Sequence, residues 1–384
     1  MGDSVRGLAV FGSTGSIGRQ TLDVVRGLRQ RFRVVGLSAG RNVTLLQEQA
    51  REFQPRFVCY DGNGSATRDV IGFEGVDCVP METMATRPDV DIIVVATVGK
   101  AGLTSTLAAL EAGKTVALAN KEVLVMAGKL VAEAARRGHG EIRPIDSEHS
   151  AIWQCLRGEK NASIRRLILT ASGGALRDKS MEELRRVTPE QALSHPTWQM
   201  GRKITVDSAT LLNKGLEAIE ARWLFDVPLD RIEIVLHRES IVHSLVEFTD
   251  GSLKAQLGTP DMRVPIQVAL CYPDRVALPS VPYLDLKTVS PLHFAELKLD
   301  RYPCLALALE AGHRDGTYPA VLSAADEVAV AAFLTGRITF TRIPEIIDDT
   351  LNAHDGVADP ALDDILAADA WARAHAENLV GATP

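Results

Sequence analysis

Short, continuous apolar runs alternate with helical patterns over residues 1–145 of the chain. Such runs are typical of strands that are buried on both faces, as in a parallel sheet covered by helices. The predicted strands are Leu8–Phe11, Phe32–Leu37, Phe57–Tyr60, Val90–Ala96, Thr115–Ala119 and Ile142–Ile145. The pattern predicts an α/β domain with a doubly wound, Rossmann-like parallel sheet, whose ligands bind beyond the C-terminal ends of the strands.

The pattern changes after about Ser150, where a strand at Ile164–Thr170 is followed by further strand-like segments. These segments are Ile232–Leu236, Ile241–Phe248, Ser252–Leu257 and Val276–Leu278. The dipeptide Asp250-Gly251 between the second and third of them indicates a hairpin. We therefore expect residues 146–279 to form an α+β catalytic domain with a small, mostly antiparallel sheet.

The last third of the chain is rich in alanine and has helical periodicity. Residues 280–302 contain prolines and are weakly periodic, which favours a linker. The predicted helices beyond it are Pro303–His313, Pro319–Leu334, Ile343–Leu351 and Ala361–Ala376. We expect residues 303–384 to be a C-terminal helical bundle that braces the middle domain or a subunit contact, with Asp326 and Glu327 as helix-surface charges.

The length and composition are those of a multidomain globular protein. A chain of 384 residues with 46% hydrophobic and 24% charged residues is expected to fold into two or three domains. The formal net charge of −7 argues against a nucleic-acid partner. Five scattered cysteines without a C-x-x-C pair indicate reduced thiols, and there is no targeting or membrane-spanning pattern. These features predict a cytoplasmic protein without a membrane partner.

A glycine-rich turn, Gly12-Ser13-Thr14-Gly15-Ser16-Ile17-Gly18, lies between the first strand and a helix predicted at Arg19–Leu28. Small residues allow close approach of a pyrophosphate, and the start of the helix supplies N–H groups and a favourable dipole. The second strand leads to Arg41 and not to the acidic residue that holds the ribose of NAD. This favours NADP(H); the alternative is that Arg41 is a solvated loop charge.

Carboxylates follow the last strand of the predicted nucleotide-binding domain. Asp146 and Glu148 would point to the same side if the chain is extended there, and two such groups repel unless a cation or a proton lies between them. With Glu217 they would form an all-oxygen set that favours Mg²⁺ or Mn²⁺, without a competing Cys/His set for zinc. The alternative is a solvated D-x-E at the end of a strand.

Two segments after Ser150 have the features of a phosphate pocket and a lid. The turn Ala171-Ser172-Gly173-Gly174 can hold an anion. The segment Ser194–Lys203, which we name the lid, carries Trp198 between Pro and Gly and could exclude water on closure. Trp198 could instead be a core residue. Lys121, after a strand end, is predicted to contact a ligand, although a helix-start lysine is the alternative.

A helix predicted from about Ala209, with Asp207 or Ser208 as its N-cap, offers a compact set of polar groups. Ser208 would lie at its positive end. The spacing places three residues on one helix face: Asn213, Lys214 and Glu217. These groups could bind a phosphorylated substrate, whereas the alternative is a surface ion pair between Lys214 and Glu217 of little energetic value.

Seven motifs lie along the chain: GSTGSIG at 12–18, AGRN at 39–42, ANKE at 119–122, DSEH at 146–149, SHPTWQMGRK at 194–203, VDSATLLNKGLE at 206–217 and AQLGTPDMR at 255–263. With them the chain resembles the 1-deoxy-D-xylulose 5-phosphate reductoisomerase family almost from end to end. His237-Arg238-Glu239-Ser240 departs from the family's His-Pro-Gln-Ser, and Val123 stands where a serine often follows ANKE. Neither departure removes a predicted metal or phosphate ligand, but the first leaves the setting of His237 open.

The resemblance implies roles for individual residues. Asp146, Glu148 and Glu217 would bind the metal, while Ser172, Ser208, Asn213 and Lys214 would contact the phosphate and the substrate head. Further implied substrate contacts are Ser147, His195, Lys121 and Trp198, with Lys121, Glu148 and His195 as catalytic residues. The implied cofactor contacts are Gly12, Ser13, Thr14, Gly15, Ser16, Ile17, Gly40, Arg41, Asn42, Asn120, Glu122 and Gly201.

The resemblance also implies the chemistry. A Mg²⁺ or Mn²⁺ ion would bind the carbonyl and hydroxyl oxygens of a small phosphorylated sugar, 1-deoxy-D-xylulose 5-phosphate. A skeletal rearrangement, retro-aldol then aldol, followed by hydride transfer from NADPH, would give 2-C-methyl-D-erythritol 4-phosphate, and a homodimer is expected. Three other classes compete: an ordinary NADP-dependent dehydrogenase of the homoserine or semialdehyde kind, a non-catalytic NADP sensor and a metal-free phosphosugar isomerase. Metal dependence would separate the first and last of these, and turnover the second.

Overall fold

The protein is described by a computed structural model that covers residues 5–60, 75–277, 279–289 and 291–382. The chain forms two compact units. The first contains residues 1–123, 129–150 and 261–282, and the second contains residues 124–128, 151–260 and 283–384. None of the helices within the described ranges has the length and the apolar character that crossing a membrane requires.

The first unit is built around a parallel sheet of seven strands within the described residues. Its strands are β1 (Arg6–Phe11), β2 (Phe32–Ala39), β3 (Phe57–Tyr60), β4 (Asp77–Cys78), β5 (Ile92–Val95), β6 (Thr115–Leu118) and β7 (Glu141–Pro144). They lie in the order β4-β3-β2-β1-β5-β6-β7. Strands β2 to β4 are thus added on one side of β1, and strands β5 to β7 on its other side. This order confirms the prediction of a doubly wound sheet, and its switch point is where such sheets bind ligands.

Helices flank these strands and continue through the second unit. Their bounds are Ser16–Gly27, Val43–Phe53, Met81–Ala85, Leu103–Glu111, Lys121–Gly138, Ser147–Cys155, Met181–Leu184, Pro189–Ala192, Arg202–Thr210, Leu212–Phe225, Arg263–Cys271, Pro303–Arg314, Tyr318–Leu334, Arg342–Asn352 and Leu362–Gly381. Short 3₁₀ turns lie at Gly99–Gly102, Asn161–Ser163, Leu229–Arg231 and Leu299–Arg301. In the first unit, apolar side chains such as Leu22, Val25 and Ile266 cover the sheet and form its core.

The second unit contains a mixed sheet of five strands within the described residues. They are β8 (Ile164–Ala171), β9 (Ile232–Leu236), β10 (Val242–Phe248), β11 (Leu253–Leu257) and β12 (Ala295–Glu296), in the order β11-β10-β8-β9-β12. Only β8 and β9 pair in parallel, which confirms the mostly antiparallel prediction and the hairpin at Asp250-Gly251. The predicted strand at Val276–Leu278 is wrong for Val276, and Leu278 lies outside the described residues.

The four C-terminal helices confirm the predicted helical region. They share one apolar core with the helices Arg202–Thr210 and Leu212–Phe225, to which Val206, Leu216 and Val321 contribute. Asp326, expected on a helix surface, is fully buried, and Glu327 is half-buried and contacts Arg373 at 2.8 Å. The prediction was wrong because most of the helix Tyr318–Leu334 is buried, so helical periodicity no longer marks a solvent face.

Two local predictions around the candidate residues were also wrong. The chain is not extended through Asp146-Ser147-Glu148, because β7 ends at Pro144 and a helix begins at Ser147. The helix expected from about Ala209 is in fact two helices, and the first begins at Arg202. Leu211 joins them in the left-handed conformation, with φ of 57°. Ser208 therefore lies in the last turn of a helix and not at the positive end of one.

Candidate active site

The glycine-rich turn packs too closely against its neighbours to carry side chains at two positions. A Cβ on Gly12, whose φ is 82°, would lie 2.4 Å from the carbonyl oxygen of Ala96, and one on Gly18 would lie 2.2 Å from that of Gly12. The N–H groups of Gly12 and Ser13 both donate to the carbonyl of Ser38, at 3.1 and 2.7 Å. The turn is thus fixed to the ends of β2 and β5.

The loop after β2 lies beside this turn, because β1 and β2 are paired neighbours and Phe11 is in register with Ser38. Arg41 is exposed, and Asn42 caps the helix Val43–Phe53 by accepting from the N–H of Leu45 at 3.2 Å. Of the turn residues, Ser13 is fully buried and its hydroxyl donates to Gln49 at 2.7 Å. Thr14 and Ile17 are half-buried and Ser16 is exposed at the same edge.

Asn120 fixes the next segment of this edge. Its side-chain oxygen accepts from the N–H of Val123 at 3.3 Å, and its side-chain nitrogen donates to the carbonyl of Gly99 at 2.9 Å and to Thr97 at 3.0 Å. The side chain therefore joins the loop after β5 to the start of the helix Lys121–Gly138. Glu122 lies in the first turn of that helix, where the dipole favours a carboxylate.

Lys121 and Asp146 are brought together at the C-terminal ends of β6 and β7. The Nζ atom of Lys121 lies 2.8 Å from Oδ2 of Asp146, and both side chains are largely buried. Ser147 donates its N–H to Asp146 at 2.9 Å and its hydroxyl to Glu148 at 2.6 Å. The first unit thus presents two carboxylates, a hydroxyl and an ammonium in one short segment.

In the second unit, the structure joins Ser172 to His195 of the lid. The Nε2 atom of His195 lies 3.0 Å from the hydroxyl of Ser172, while its Nδ1 accepts from the N–H groups of Thr197 and Trp198 at 3.1 and 2.9 Å. Because Nδ1 is an acceptor, the proton of the neutral ring must be on Nε2, which donates to Ser172. Burial lowers the pKa of His195, and the nearby guanidinium of Arg177 lowers it further.

The hydroxyl of Ser172 is consequently set up as a donor. It accepts from Nε2 of His195 and also from the N–H of Gly174 at 3.2 Å, so its own proton is free to be given to an incoming anion. Gly174 has φ of 70°, and a Cβ there would lie 2.4 Å from the carbonyl oxygen of Ser208. The turn around Ser172 therefore packs directly against Ser208, so the two predicted phosphate contacts are neighbours.

The helix Leu212–Phe225 carries a buried polar cluster. The side-chain amide of Asn213 donates to Oε1 of Glu217 at 2.5 Å, and Nζ of Lys214 lies 2.5 Å from Oε2 of Glu217. The side chains of Lys214 and Glu217 are only 5% and 1% exposed. The surface-pair interpretation is therefore wrong. A buried ammonium and carboxylate are costly to hold, which is typical of a functional site.

Two further segments concern the predicted site: the lid and the tetrapeptide His237-Arg238-Glu239-Ser240, which departs from the family pattern. Trp198 is half-buried, with its ring centroid 6.2 Å from that of His243, and Gly201 is exposed where the helix Arg202–Thr210 begins. His237 is fully buried, and its Nε2 accepts from the N–H groups of Ile241 and Val242 at 3.2 and 3.1 Å. Its setting is therefore structural: it closes the turn that leads into β10.

Sequence reasoning missed Arg177. Its guanidinium donates to the carbonyl of Ser172 at 2.8 Å and adds positive charge beside His195. The only signal in the sequence was a basic residue five positions after Ser172, which is too common a pattern to single out. Sequence reasoning also overlooked Lys203, which contacts Asp207 and Asp326 at 2.7 Å each.

Comparisons with known proteins give one consistent result. Family models match residues 8–128 (1-deoxy-D-xylulose 5-phosphate reductoisomerase), 142–225 (its C-terminal domain) and 257–375 (DXP reductoisomerase C-terminal domain). The 1-deoxy-D-xylulose 5-phosphate reductoisomerase of Geobacillus kaustophilus is 52% identical over 97% of this chain and 99% of its own. That of Pelotomaculum thermopropionicum is 50% identical over 96% of this chain and 97% of its own.

Solved structures agree with the sequence comparisons. The Zymomonas mobilis 1-deoxy-D-xylulose 5-phosphate reductoisomerase in complex with NADPH has a TM-score of 0.91 and 41% identity, and the match covers 99% of this chain and 100% of that one. A DOX-P reductoisomerase in complex with NADPH, fosmidomycin and magnesium has a TM-score of 0.92 and 40% identity, covering 98% of both chains.

Proposed function

This chain belongs to the 1-deoxy-D-xylulose 5-phosphate reductoisomerase family, and we propose that the residues described above carry out the reaction of that family. The activity is the metal-dependent rearrangement and NADPH-dependent reduction of 1-deoxy-D-xylulose 5-phosphate to 2-C-methyl-D-erythritol 4-phosphate, a step of non-mevalonate isoprenoid biosynthesis. The observation that carries this assignment is identity of about half the residues over almost the whole of both chains. The rival classes of dehydrogenase, sensor and isomerase are set aside on the same ground.

We assign the divalent metal, Mg²⁺ or Mn²⁺, to Asp146, Glu148 and Glu217. The donor chemistry fits, because hard cations take carboxylate oxygens and these three side chains are buried or half-buried. Lys121 contacts Asp146 and Lys214 contacts Glu217, so an ammonium already balances a carboxylate in each unit. When bound, the metal supplies a Lewis acid for the substrate's carbonyl and hydroxyl oxygens.

We assign the phosphate of the substrate to Ser172, Ser208, Asn213 and Lys214. Ser172 has its proton free to donate because Nε2 of His195 and the N–H of Gly174 both donate to its oxygen. Neutral His195 thereby positions the serine, and its depressed pKa keeps it in that form at neutral pH. Lys214 adds positive charge in a largely buried setting, where it acts more strongly on an anion than in water.

The remaining roles concern the cofactor, the lid and proton transfer. We assign the NADPH contacts to the predicted set at the glycine-rich turn, at Gly40–Asn42, at Asn120 and Glu122, and at Gly201. Trp198 and His195 would close over the substrate and exclude water, while Ser147 and Lys121 would contact it. Glu148, which accepts from the hydroxyl of Ser147, would assist proton transfer.

We further propose a homodimer that works in the cytoplasm on a small phosphorylated sugar, without a nucleic-acid or membrane partner. We also propose residues 1–145, 146–279 and 303–384 as the nucleotide-binding, catalytic and helical parts, joined by residues 280–302. The compact units divide the chain differently, because residues 283–384 cluster with residues 151–260.

The test is NADPH oxidation on addition of 1-deoxy-D-xylulose 5-phosphate, with Mg²⁺ or Mn²⁺ present and then chelated. Turnover that stops on chelation and resumes with fresh metal is the expected result. Glu217→Gln should lose turnover at saturating substrate, and weaker Mn²⁺ binding in calorimetry should accompany that loss. A wild-type protein that turns over equally well in chelator would exclude the three-carboxylate assignment.

A further inference from the structure

A buried cluster of charges joins the helix Arg202–Thr210 to the C-terminal helical region. We call this helix and the next one, Leu212–Phe225, the catalytic helices. The Nζ atom of Lys203 lies 2.7 Å from Oδ2 of Asp207 and 2.7 Å from Oδ2 of Asp326. Asp207 is 2% exposed and Asp326 is fully buried, whereas the Lys203 side chain is 29% exposed. One ammonium therefore bridges two buried carboxylates on different helices, Arg202–Thr210 and Tyr318–Leu334.

Joining two helices through such a cluster costs free energy. Removing carboxylates from water carries a large desolvation penalty, and apolar residues of similar size often stabilise a fold at least as well. The surroundings favour neutral groups, because burial raises the pKa of the adjacent Cys304 thiol well above its ordinary value and the charge of Asp326 raises it further. Unlike apolar packing, the two ion pairs fix the direction of the Lys203 side chain.

The helix Arg202–Thr210, which carries Lys203 in its first turn, leads directly to the phosphate contacts. At its N-terminal end it continues from Gly201 and the lid, and its last turn carries Ser208. The left-handed residue Leu211 then passes the chain to the helix of Asn213, Lys214 and Glu217. Lys203 and Ser208 lie on the same helix. The ion pairs of Lys203 would therefore fix the position of Ser208 relative to the turn that carries Ser172.

We propose that Asp326, in the C-terminal helical region, is a positioning residue for the phosphate pocket and acts on Ser208 through Lys203 and Asp207. The inference rests on the proposed role of Ser208, and it extends the functional site to a region for which sequence reasoning predicted no chemistry. Asp326 does not need to touch the substrate. It needs to hold Lys203 so that the helix Arg202–Thr210 keeps one position.

The variant Asp326→Asn tests this role, because asparagine keeps the shape and loses the charge. The matched control is Glu327→Gln on the same helix, which also removes one carboxylate charge but contacts Arg373 instead of Lys203. Lys203→Met and the double variant of Lys203→Met with Asp326→Asn complete a mutant cycle. Two readouts are used: KM and kcat for 1-deoxy-D-xylulose 5-phosphate, and the affinity for inorganic phosphate in calorimetry.

Asp326→Asn is expected to raise KM by about tenfold and to weaken phosphate binding by a similar factor, with a smaller change in kcat. The effect of Asp326→Asn should disappear when Lys203 is already methionine, while Glu327→Gln should leave both constants unchanged. Equal effects of Asp326→Asn and Glu327→Gln, or an additive cycle, would overturn the inference and leave the proposed activity intact. Phosphate affinity needs no turnover, so an inactive wild type would refute the activity while the phosphate measurement still decided the role of Asp326.

Discussion

The contact between Gly215 and Ala308 offers a direct test of whether the C-terminal helices hold the catalytic helix in place. Gly215 lies on the helix Leu212–Phe225, and a Cβ there would be 2.3 Å from the Cβ of Ala308 on the helix Pro303–Arg314. Carbon atoms make favourable contact at about 3.5 Å or more, so Gly215→Ala should force the two helices about 1.2 Å apart. Both atoms are fixed to the backbone, so neither methyl group can rotate away.

The expected energetic cost follows from two opposing effects. Overpacking of this kind costs about 1–3 kcal/mol, and the upper end applies because backbone must move. Replacing glycine by alanine inside a helix returns about 1 kcal/mol of helix propensity. We therefore expect Gly215→Ala to lower the free energy of unfolding by about 2 kcal/mol, measured by urea denaturation in chelator.

Activity should fall by more than stability alone would suggest. Lys214 and Glu217 lie on the displaced helix, and a misplacement of about 1 Å can cost up to about 100-fold in rate. The suppressor Ala308→Gly removes the opposing methyl group and should restore most of the stability and turnover of Gly215→Ala. The control is Gly27→Ala, where a Cβ would meet no atom within 4 Å. Normal stability and turnover in Gly215→Ala, or a suppressor without effect, would refute the reasoning.

Three further predictions concern the polar groups. Ser172→Ala should raise KM for the sugar phosphate by about tenfold with a smaller change in kcat, because one charge-assisted donor is lost; an unchanged KM would exclude Ser172 from the phosphate pocket. Lys214→Met and Glu217→Gln should each destabilise the protein by about 3–5 kcal/mol in chelator, and the double variant by much less than their sum; additive urea-denaturation values would contradict the buried pair. The depressed pKa of His195 means that the unfolded chain binds its proton first, so its contribution to stability is complete above the unfolded pKa and is lost as pH falls through the folded one. His195→Gln should therefore flatten the pH dependence of the free energy of unfolding below about pH 6.5. An unchanged slope would count against a depressed pKa of His195 in the folded protein.

The sequence was most informative where the periodicity was strong. Six strands of the first unit and the four C-terminal helices are within about five residues of their predicted bounds, because continuous apolar runs and helical stripes follow directly from burial, whereas the two-residue strand β4 was not predicted. The helix Arg202–Thr210 was missed for the opposite reason. Its buried face includes Thr205, Asp207, Ser208 and Thr210, so polar residues occupy positions that a pattern assigns to solvent.

The candidate site was predicted in its residue types and not in its local geometry. The resemblance supplied the residues, but Asp146 and Glu148 lie at the start of a helix and not along a strand. The tautomer of His195 and the donor role of Ser172 depend on N–H groups two and three residues after His195 in a loop, which no pattern encodes. The burial of Asp326 depends on packing against other helices, which a single sequence does not specify.

The shared core of the second unit has a consequence for how the chain can evolve by recombination. Val206 and Leu216 from the catalytic helices and Val321 and Ile346 from the C-terminal helices belong to one apolar cluster. A chimera that exchanges only the C-terminal helices with those of a relative would join two half-cores with unmatched shapes. Residues 202–225 and residues 303–381 should therefore come from the same parent in a functional recombinant. The last third of the chain is thus not a module that can be transferred alone.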